Sequence, residues 1–238
     1  MKNRYVYQNR ETLAETVARQ TIVSLRHAID QHGAAVWVLA GGSTPLLAYK
    51  VIVAKYAKGL DWTRIILVLG DERMGPAQGP DNNWHAISQI IGKLPTQQLR
   101  PNPTISAEAS AKDYEQQLLK LPKKRHGIPR FDLIWLGIGA DGHTLSLFPQ
   151  HASLAPTSHL VIPVHHSPKP PADRISFSLR SLLGVDTAMI IAAGADKRVA
   201  VTNALAGKHL PITLAANVMT THGGHVDWFL DTAAFTPS

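Results

Sequence analysis

Apolar and polar positions change period along the chain, and the changes predict helices and strands in turn. Residues 11–32 place apolar side chains at helical spacing, and Gly33 stands where such a helix would end. Residues 35–40 then form a continuous apolar run between glycines, the pattern of a strand that is buried on both faces. A strand of this kind next to an amphipathic helix predicts a parallel sheet.

The alternation continues through most of the chain. It predicts strands at 5–7, 64–70, 131–136, 160–164 and 187–192, and helices at 46–58, 83–91, 107–121 and 196–206. In the helix at 46–58, Pro45 suits the first helical position and Ser43 or Thr44 the N-cap. The proline-rich stretch 163–171 predicts a loop. We expect a doubly wound α/β fold, with a mainly parallel sheet and helices on both faces, in one domain over residues 1–238.

Composition narrows the class of protein. Hydrophobic residues make up 45% of the chain and charged residues 17%, which indicates a globular protein rather than a disordered one. The absence of cysteine excludes disulfides, thiolate metal sites and cysteine nucleophiles. No apolar run approaches the roughly 20 residues of a membrane span. The first residues lack the apolar core of a secretory signal, so we expect a cytoplasmic protein.

The net charge of +7 would attract a polyanion or a phosphorylated metabolite, and it does not indicate which of these two classes of ligand binds. Ligands of open α/β sheets bind at the carboxyl ends of the strands, so the residues after each apolar run are the candidates. The sequence GGSTP at 41–45 joins small residues and hydroxyls to a helix N-terminus, which favours an anion such as phosphate. A plain strand-to-helix turn is the alternative. The lysine of a Walker loop is missing, which argues against nucleoside triphosphate hydrolysis.

Charged residues follow the next predicted strand. Arg73 either clamps a phosphate or pairs with Asp71 or Glu72, and a structural ion pair is the commoner outcome. Arg174 and Lys197 begin predicted elements later in the chain, and each taken singly is interpreted as solvated charge.

Residues 137–142 match the pattern G-x-G-x-x-G without predicting a dinucleotide site. The chain has no acidic residue between Asp141 and Asp173 to hold a ribose, and Pro149 interrupts the helix that should follow. The glycines instead predict a sharply bent loop close to a small ligand. His143 lies in this loop, and an imidazole with an ordinary pKa near 6.5 suits a general base acting on water. A surface histidine, one of twelve in the chain, is the alternative.

Two other groups of residues do not favour a site. The basic run at 123–126 lacks interleaved aromatic residues and is interpreted as a solvated loop rather than a nucleic-acid surface. The histidine pairs at 165–166 and 222–225 lack the spacing and the carboxylate of a metal site, so metal binding is not predicted.

Together, the segments GGSTP at 41–45, DER at 71–73 with DNN at 81–83, and GIGADGHTLSLFP at 137–149 resemble the 6-phosphogluconolactonase family. That family belongs to a larger group with glucosamine-6-phosphate isomerase/deaminase. The ending SLFP at 146–149 resembles the lactonase branch. Departures occur at Asn82, at 74–76, and across 211–231, where the match is loose.

The resemblance implies that His143 activates water to attack C1 of 6-phosphoglucono-δ-lactone. It also implies a set of substrate-binding residues: Gly42, Ser43, Thr44, Asp71, Arg73, Asn83, Asp141, Arg174 and Lys197. No metal or organic cofactor is implied, and the partner is a small sugar phosphate rather than nucleic acid or membrane. The oligomeric state stays open, with a slight preference for a monomer. An amino-sugar phosphate isomerase/deaminase and a non-catalytic anion- or nucleic-acid-binding module remain the alternatives.

Overall fold

A computed structural model describes residues 2–236. Its strands are β1 (Lys2–Tyr7), β2 (Ala35–Leu39), β3 (Ile65–Leu69), β4 (Asp71–Arg73), β5 (Gln97–Leu99), β6 (Lys124–Arg125), β7 (Ile128–Pro129), β8 (Phe131–Gly137), β9 (Val161–Val164), β10 (Arg174–Phe177), β11 (Val185–Ala192) and β12 (His225–Asp231). Its α-helices are α1 (Arg10–His32), α2 (Ser43–Val51), α3 (Asn83–Ile91), α4 (Ala107–Leu119), α5 (Arg198–Leu205) and α6 (Pro211–Thr221).

Seven of these strands form one sheet in the order β1-β12-β11-β8-β2-β3-β5. Every neighbouring pair in this sheet is parallel. From β2 the chain moves outward to β3 and β5, whereas from β8 it moves the other way to β11 and β12. The strand order therefore reverses between β2 and β8, and ligands of such sheets bind at this switch point.

Helices cover both faces of the sheet, because successive side chains of a buried strand point to opposite sides. In β8, Leu133 and Trp135 pack into the core under α1, α2 and α3. Ile134 and Leu136 pack into the second core, under α4, α5 and α6. The predicted doubly wound α/β fold is confirmed. None of the helices in the described part of the chain is long and apolar enough to cross a bilayer.

Most predicted elements occur within a few residues of their predicted bounds, and two predictions are wrong. The helix predicted at 46–58 begins at Ser43, with Gly42 as its N-cap, and continues from 52 to 56 as a π-helical turn. Gly42 adopts φ 101°, which glycine tolerates and a capping serine or threonine does not. Ser43, Thr44 and Pro45 therefore lie in the first turn.

The strand predicted at 160–164 is confirmed as β9, although β9 does not join the parallel sheet. It pairs with β10 in a small antiparallel sheet of order β4-β10-β9, and its last residues include the start of the predicted proline-rich loop. The second wrong prediction is the loop at 123–126, because this basic run contains β6 of a short hairpin with β7. Arg125 there pairs with Asp186 at 2.7 Å.

Candidate active site

A cleft of about 360 Å³ opens at the carboxyl ends of β11, β8, β2 and β3, at the switch point of the sheet. Trp135 and Ile191 contribute to its apolar wall. Eight of the ten predicted site residues line it: Gly42, Ser43, Thr44, Asp71, Arg73, Asn83, His143 and Lys197. The other two, Asp141 and Arg174, lie outside the lining. Three segments that are distant in sequence thus meet in one place.

The N-terminus of α2 faces this cleft without a side-chain cap. The first N–H groups of a helix have no partner within the helix and carry the positive end of its dipole. Tyr49 of α2 holds the preceding turn in place, since its buried hydroxyl donates to the Ala40 carbonyl at 3.0 Å and accepts from the Ala40 N–H at 3.1 Å. The turn at 41–45 therefore presents free backbone donors that suit an anionic group.

Hydrogen bonds join the three segments to one another. Asn83 donates to the Asp71 carbonyl oxygen at 3.1 Å, and Ser146 donates through Oγ to Asp71 Oδ2 at 2.8 Å. The Asn83 side chain lies so close to Gly41 that a Cβ there would come within 2.1 Å of Asn83 Oδ1. Asp71 and Asn83 therefore link the turn at 41–45 to the loop that carries His143.

Arg73 makes no ion pair with Asp71 or Glu72, so the expected structural ion pair is wrong. Its Nη1 donates to the Asp81 carbonyl oxygen at 2.8 Å, and its Nε is buried without a hydrogen-bond partner within residues 2–236. A buried donor of a charged group is costly when it lacks an acceptor. Arg73 is therefore equipped to bind an anion in the cleft.

Glu72 has a structural role instead. Its side chain is 1% exposed, and it accepts the N–H groups of Arg73, Asn83 and Trp84 at 2.7–2.8 Å, which caps the first turn of α3. Burial raises the pKa of Glu72 to about 7, although the three N–H donors oppose the rise. Glu72 fixes the helix that carries Asn83.

His143 sits in a closed turn after β8. The Gly139 N–H donates to the His143 carbonyl at 2.8 Å, and a Cβ on Gly139 would lie 1.9 Å from His143 Nδ1. Nδ1 lies 2.6 Å from Asp141 Oδ1, so the imidazole donates this proton to the carboxylate and leaves Nε2 as the acceptor. Within residues 2–236, Nε2 has no hydrogen-bond partner, and the side chain is 19% exposed. This is the arrangement that a general base requires.

The surroundings keep the imidazole neutral. Burial lowers the pKa of His143, and the charge of Lys169 lowers it further, against the hydrogen bond and charge of Asp141, which raise it. The resulting pKa lies below 6.5. Burial raises the pKa of Asp141, but its hydrogen bond and charge interaction with His143 outweigh burial, and the resulting pKa is lowered. At neutral pH the pair is a carboxylate and an unprotonated imidazole.

Arg174 and Lys197 were each expected to be solvated charges, and neither is simply solvated. Arg174 is 3% exposed, and its guanidinium donates to the carbonyl oxygens of residues 169–171 at 2.9–3.2 Å. Lys197 lines the cleft and pairs with Asp196 at 3.0 Å. Asp141 stands behind His143 rather than in the lining.

Sequence reasoning missed Arg10, which lines the cleft from the start of α1.

Within the described chain, one group of three residues has metal-ligand spacing: His32, Asp132 and Asp186. It lies at the amino ends of the strands, away from the cleft, and Arg130 pairs with both of its carboxylates. His165 contacts Glu108 and Asp173 through its two ring nitrogens at 2.8 and 2.9 Å.

The fold and the cleft together define a doubly wound α/β protein whose switch-point cleft is lined by groups that suit a small anionic ligand. Residues 8–228 match the family described as glucosamine-6-phosphate isomerases/6-phosphogluconolactonase, and the chain belongs to that family.

Relatives within the family are similar over most of their length. A 6-phosphogluconolactonase of Streptomyces coelicolor is 34% identical over 214 residues, which cover 85% of this chain and 82% of that protein. A protein of Arabidopsis thaliana named "Probable 6-phosphogluconolactonase 1" is 32% identical over 243 residues, which cover 96% and 91%. The structure of 6-phosphogluconolactonase from Trypanosoma brucei matches with a TM-score of 0.86 at 26% identity, covering 98% and 97% of the two chains.

Proposed function

We propose that this chain hydrolyses 6-phosphoglucono-1,5-lactone to 6-phosphogluconate in the oxidative branch of the pentose phosphate pathway, with His143 as the general base. The observation that carries the proposal is the position of His143. His143, with its free Nε2, lines the same cleft as the uncapped N-terminus of α2 and as Arg73, whose Nε has no hydrogen-bond partner within residues 2–236. The names of the relatives supply the substrate class.

We assign the phosphate of the substrate to Ser43, Thr44 and Arg73, which line the same cleft. Backbone N–H groups at the start of α2 and the Arg73 guanidinium would donate to its oxygens, as helix N-termini and arginines do for phosphates. Gly42, Asn83, Asp71 and Lys197 then remain for the sugar hydroxyls. The binding energy of the phosphate group would hold the ester carbonyl near His143.

The reaction needs a single proton acceptor. Nε2 of His143 takes a proton from water as the water oxygen bonds to C1, and the carbonyl electrons move to oxygen. Collapse of the tetrahedral intermediate breaks the bond from C1 to the ring oxygen, which receives the proton from the imidazolium. Asp141 stabilises the imidazolium between these steps. The product acid then ionises, and the proton that it releases can be measured.

The direct test adds the purified chain to freshly generated lactone and follows acid release. We expect a rate proportional to enzyme concentration and well above spontaneous hydrolysis. A rate equal to the spontaneous background would refute the proposal.

Glucosamine 6-phosphate is the matched comparison substrate, because the family description includes its isomerases. Ammonia release from it, without turnover of the lactone, would assign the chain to the other branch. Absence of both reactions, together with salt-dependent nucleic-acid binding, would favour the non-catalytic module.

A further inference from the structure

A third charged group reaches the Asp141–His143 pair from a distant segment. Lys169 lies in the loop 165–173 between β9 and β10, and its Nζ is 3.5 Å from Asp141 Oδ1 and 3.3 Å from His143 Nδ1. Because Nδ1 donates its proton to Asp141, the ammonium cannot donate to it and is directed at the carboxylate. Lys169 does not line the cleft, so it acts on the pair from behind.

The loop that carries Lys169 is fastened from inside the protein. Arg174 donates through Nη2 to the Lys169 carbonyl at 3.0 Å and the Pro170 carbonyl at 2.9 Å, and through Nε to the Pro171 carbonyl at 3.2 Å. Ser167 Oγ also donates to the Lys169 carbonyl at 2.9 Å. Burying a guanidinium is costly unless its donors are satisfied. Here Nε and Nη2 donate to loop carbonyls, which ties the loop conformation to Arg174.

The charge of Lys169 has a defined effect on the base. Two carboxylates act on the imidazole, Asp141 through a direct hydrogen bond and Asp71 across the cleft, and both favour its protonated form. Protonated His143 cannot accept a proton from water. Lys169 is the cation that opposes them, whereas Arg174 contacts the neighbouring Phe148 ring, with its guanidinium carbon 5.5 Å from the ring centroid.

We propose that Lys169 is a positioning residue that holds Asp141 in place and offsets its charge at His143, and that Arg174 serves this lysine by fixing loop 165–173 rather than by binding substrate. The inference deepens the proposed function and rests on it. A phosphate-binding role for Arg174, which the family resemblance implies, is the competing account.

The experiment compares Lys169→Met, which removes the charge, with Lys169→Arg, which keeps it. Lys58→Met is the matched control, because Lys58 is exposed and lies outside the cleft lining. The ring protons of His143 are followed by NMR against pH in each free protein, and kcat/KM for the lactone is measured over the same range. The NMR titration needs no turnover, so it still reports on Lys169 if the chain does not hydrolyse the lactone.

We expect Lys169→Met to move the His143 midpoint and the acid limb of kcat/KM together to higher pH, with the largest rate loss at acidic pH. Lys169→Arg and Lys58→Met should leave both near their original positions. A merely structural role would lower kcat/KM equally at all pH values and leave the midpoint unmoved. That result would overturn the proposal.

Arg174→Lys separates the two roles of the arginine, since a lysine keeps the charge but cannot reach three carbonyls at once. We expect it to shift the acid limb in the same direction as Lys169→Met, with little change in the affinity for inorganic phosphate. Weaker phosphate binding with an unmoved limb would show that Arg174 binds the substrate, and would overturn its assigned role. Should this variant fail to fold, the Lys169 variants still decide the main claim.

Discussion

Gly139 controls the position of the base, and Gly139→Ala tests this with a single methyl group. The added Cβ would lie 1.9 Å from His143 Nδ1 and 2.2 Å from Cε1. To restore an ordinary contact of 3.4 Å, the ring would have to retreat by about 1.5 Å. Displacements near 1 Å in an active site cost on the order of 10² in rate. We therefore expect kcat to fall by about 10² or more, up to the ~10⁴ that loss of a general base can cost.

The same substitution should leave the protein folded. Gly139 does not have a positive φ, and the three nearest atoms belong to the side chains of His143 and Asp141 rather than to backbone. Gly59→Ala is the matched control, because its Cβ would have no neighbour closer than 3.6 Å. Acid release from the lactone measures activity, and thermal unfolding measures stability. Full activity in folded Gly139→Ala would refute the assigned position of the imidazole. Loss of activity in Gly59→Ala would show that the effect of Gly139→Ala does not depend on contact with His143.

Four further predictions concern the base, the cleft and the helix that carries Asn83. In the native protein, kcat/KM should fall as the pH drops through the pKa of His143, which is lowered from its ordinary value. Asp141→Asn removes the carboxylate whose hydrogen bond and charge raise this pKa. The acid limb of kcat/KM should therefore move to still lower pH, while kcat drops by about 10². Arg73→Lys loses the Nε donor and should raise KM about tenfold with kcat unchanged; equal KM in a steady-state assay would contradict the anion site. Glu72→Ala strands three N–H groups, so urea unfolding should show a loss of about 3 kcal/mol, and native stability would exclude the capping role.

Much of the fold could be predicted because its signals are local. The apolar runs of β2, β3, β8 and β11 identify buried strands without knowledge of their neighbours, and helix α3 matches its predicted bounds at Asn83 and Ile91. Pairing is a non-local property, so the sequence did not show that β9 joins β10 in a separate antiparallel sheet. The start of α2 was missed because a glycine N-cap leaves no side-chain signal.

The site was predictable in outline for a similar reason. The carboxyl ends of the strands in a doubly wound sheet lie at one edge, so the segments at 41–45, 70–83 and 137–149 could be expected to meet. The partners of each arginine could not be predicted from spacing. The Arg73 guanidinium donates to the Asp81 carbonyl and forms no ion pair with Asp71 or Glu72. Arg174 donates to carbonyls of the loop that precedes it. Strand direction and burial decide which way each side chain points. The approach of Lys169 to His143 depends on that same loop.

The most direct test of the account is the turnover of the lactone by His143→Ala, measured beside the native chain and beside His151→Ala. His151 serves as the control because its ring, like that of His143, lies near the Phe148 ring, whereas His151 is outside the cleft lining. We expect the rate above background to fall by on the order of 10²- to 10⁴-fold in His143→Ala, and to stay near the native value in His151→Ala. Native turnover in a folded His143→Ala protein would contradict the central claim that this imidazole activates the water.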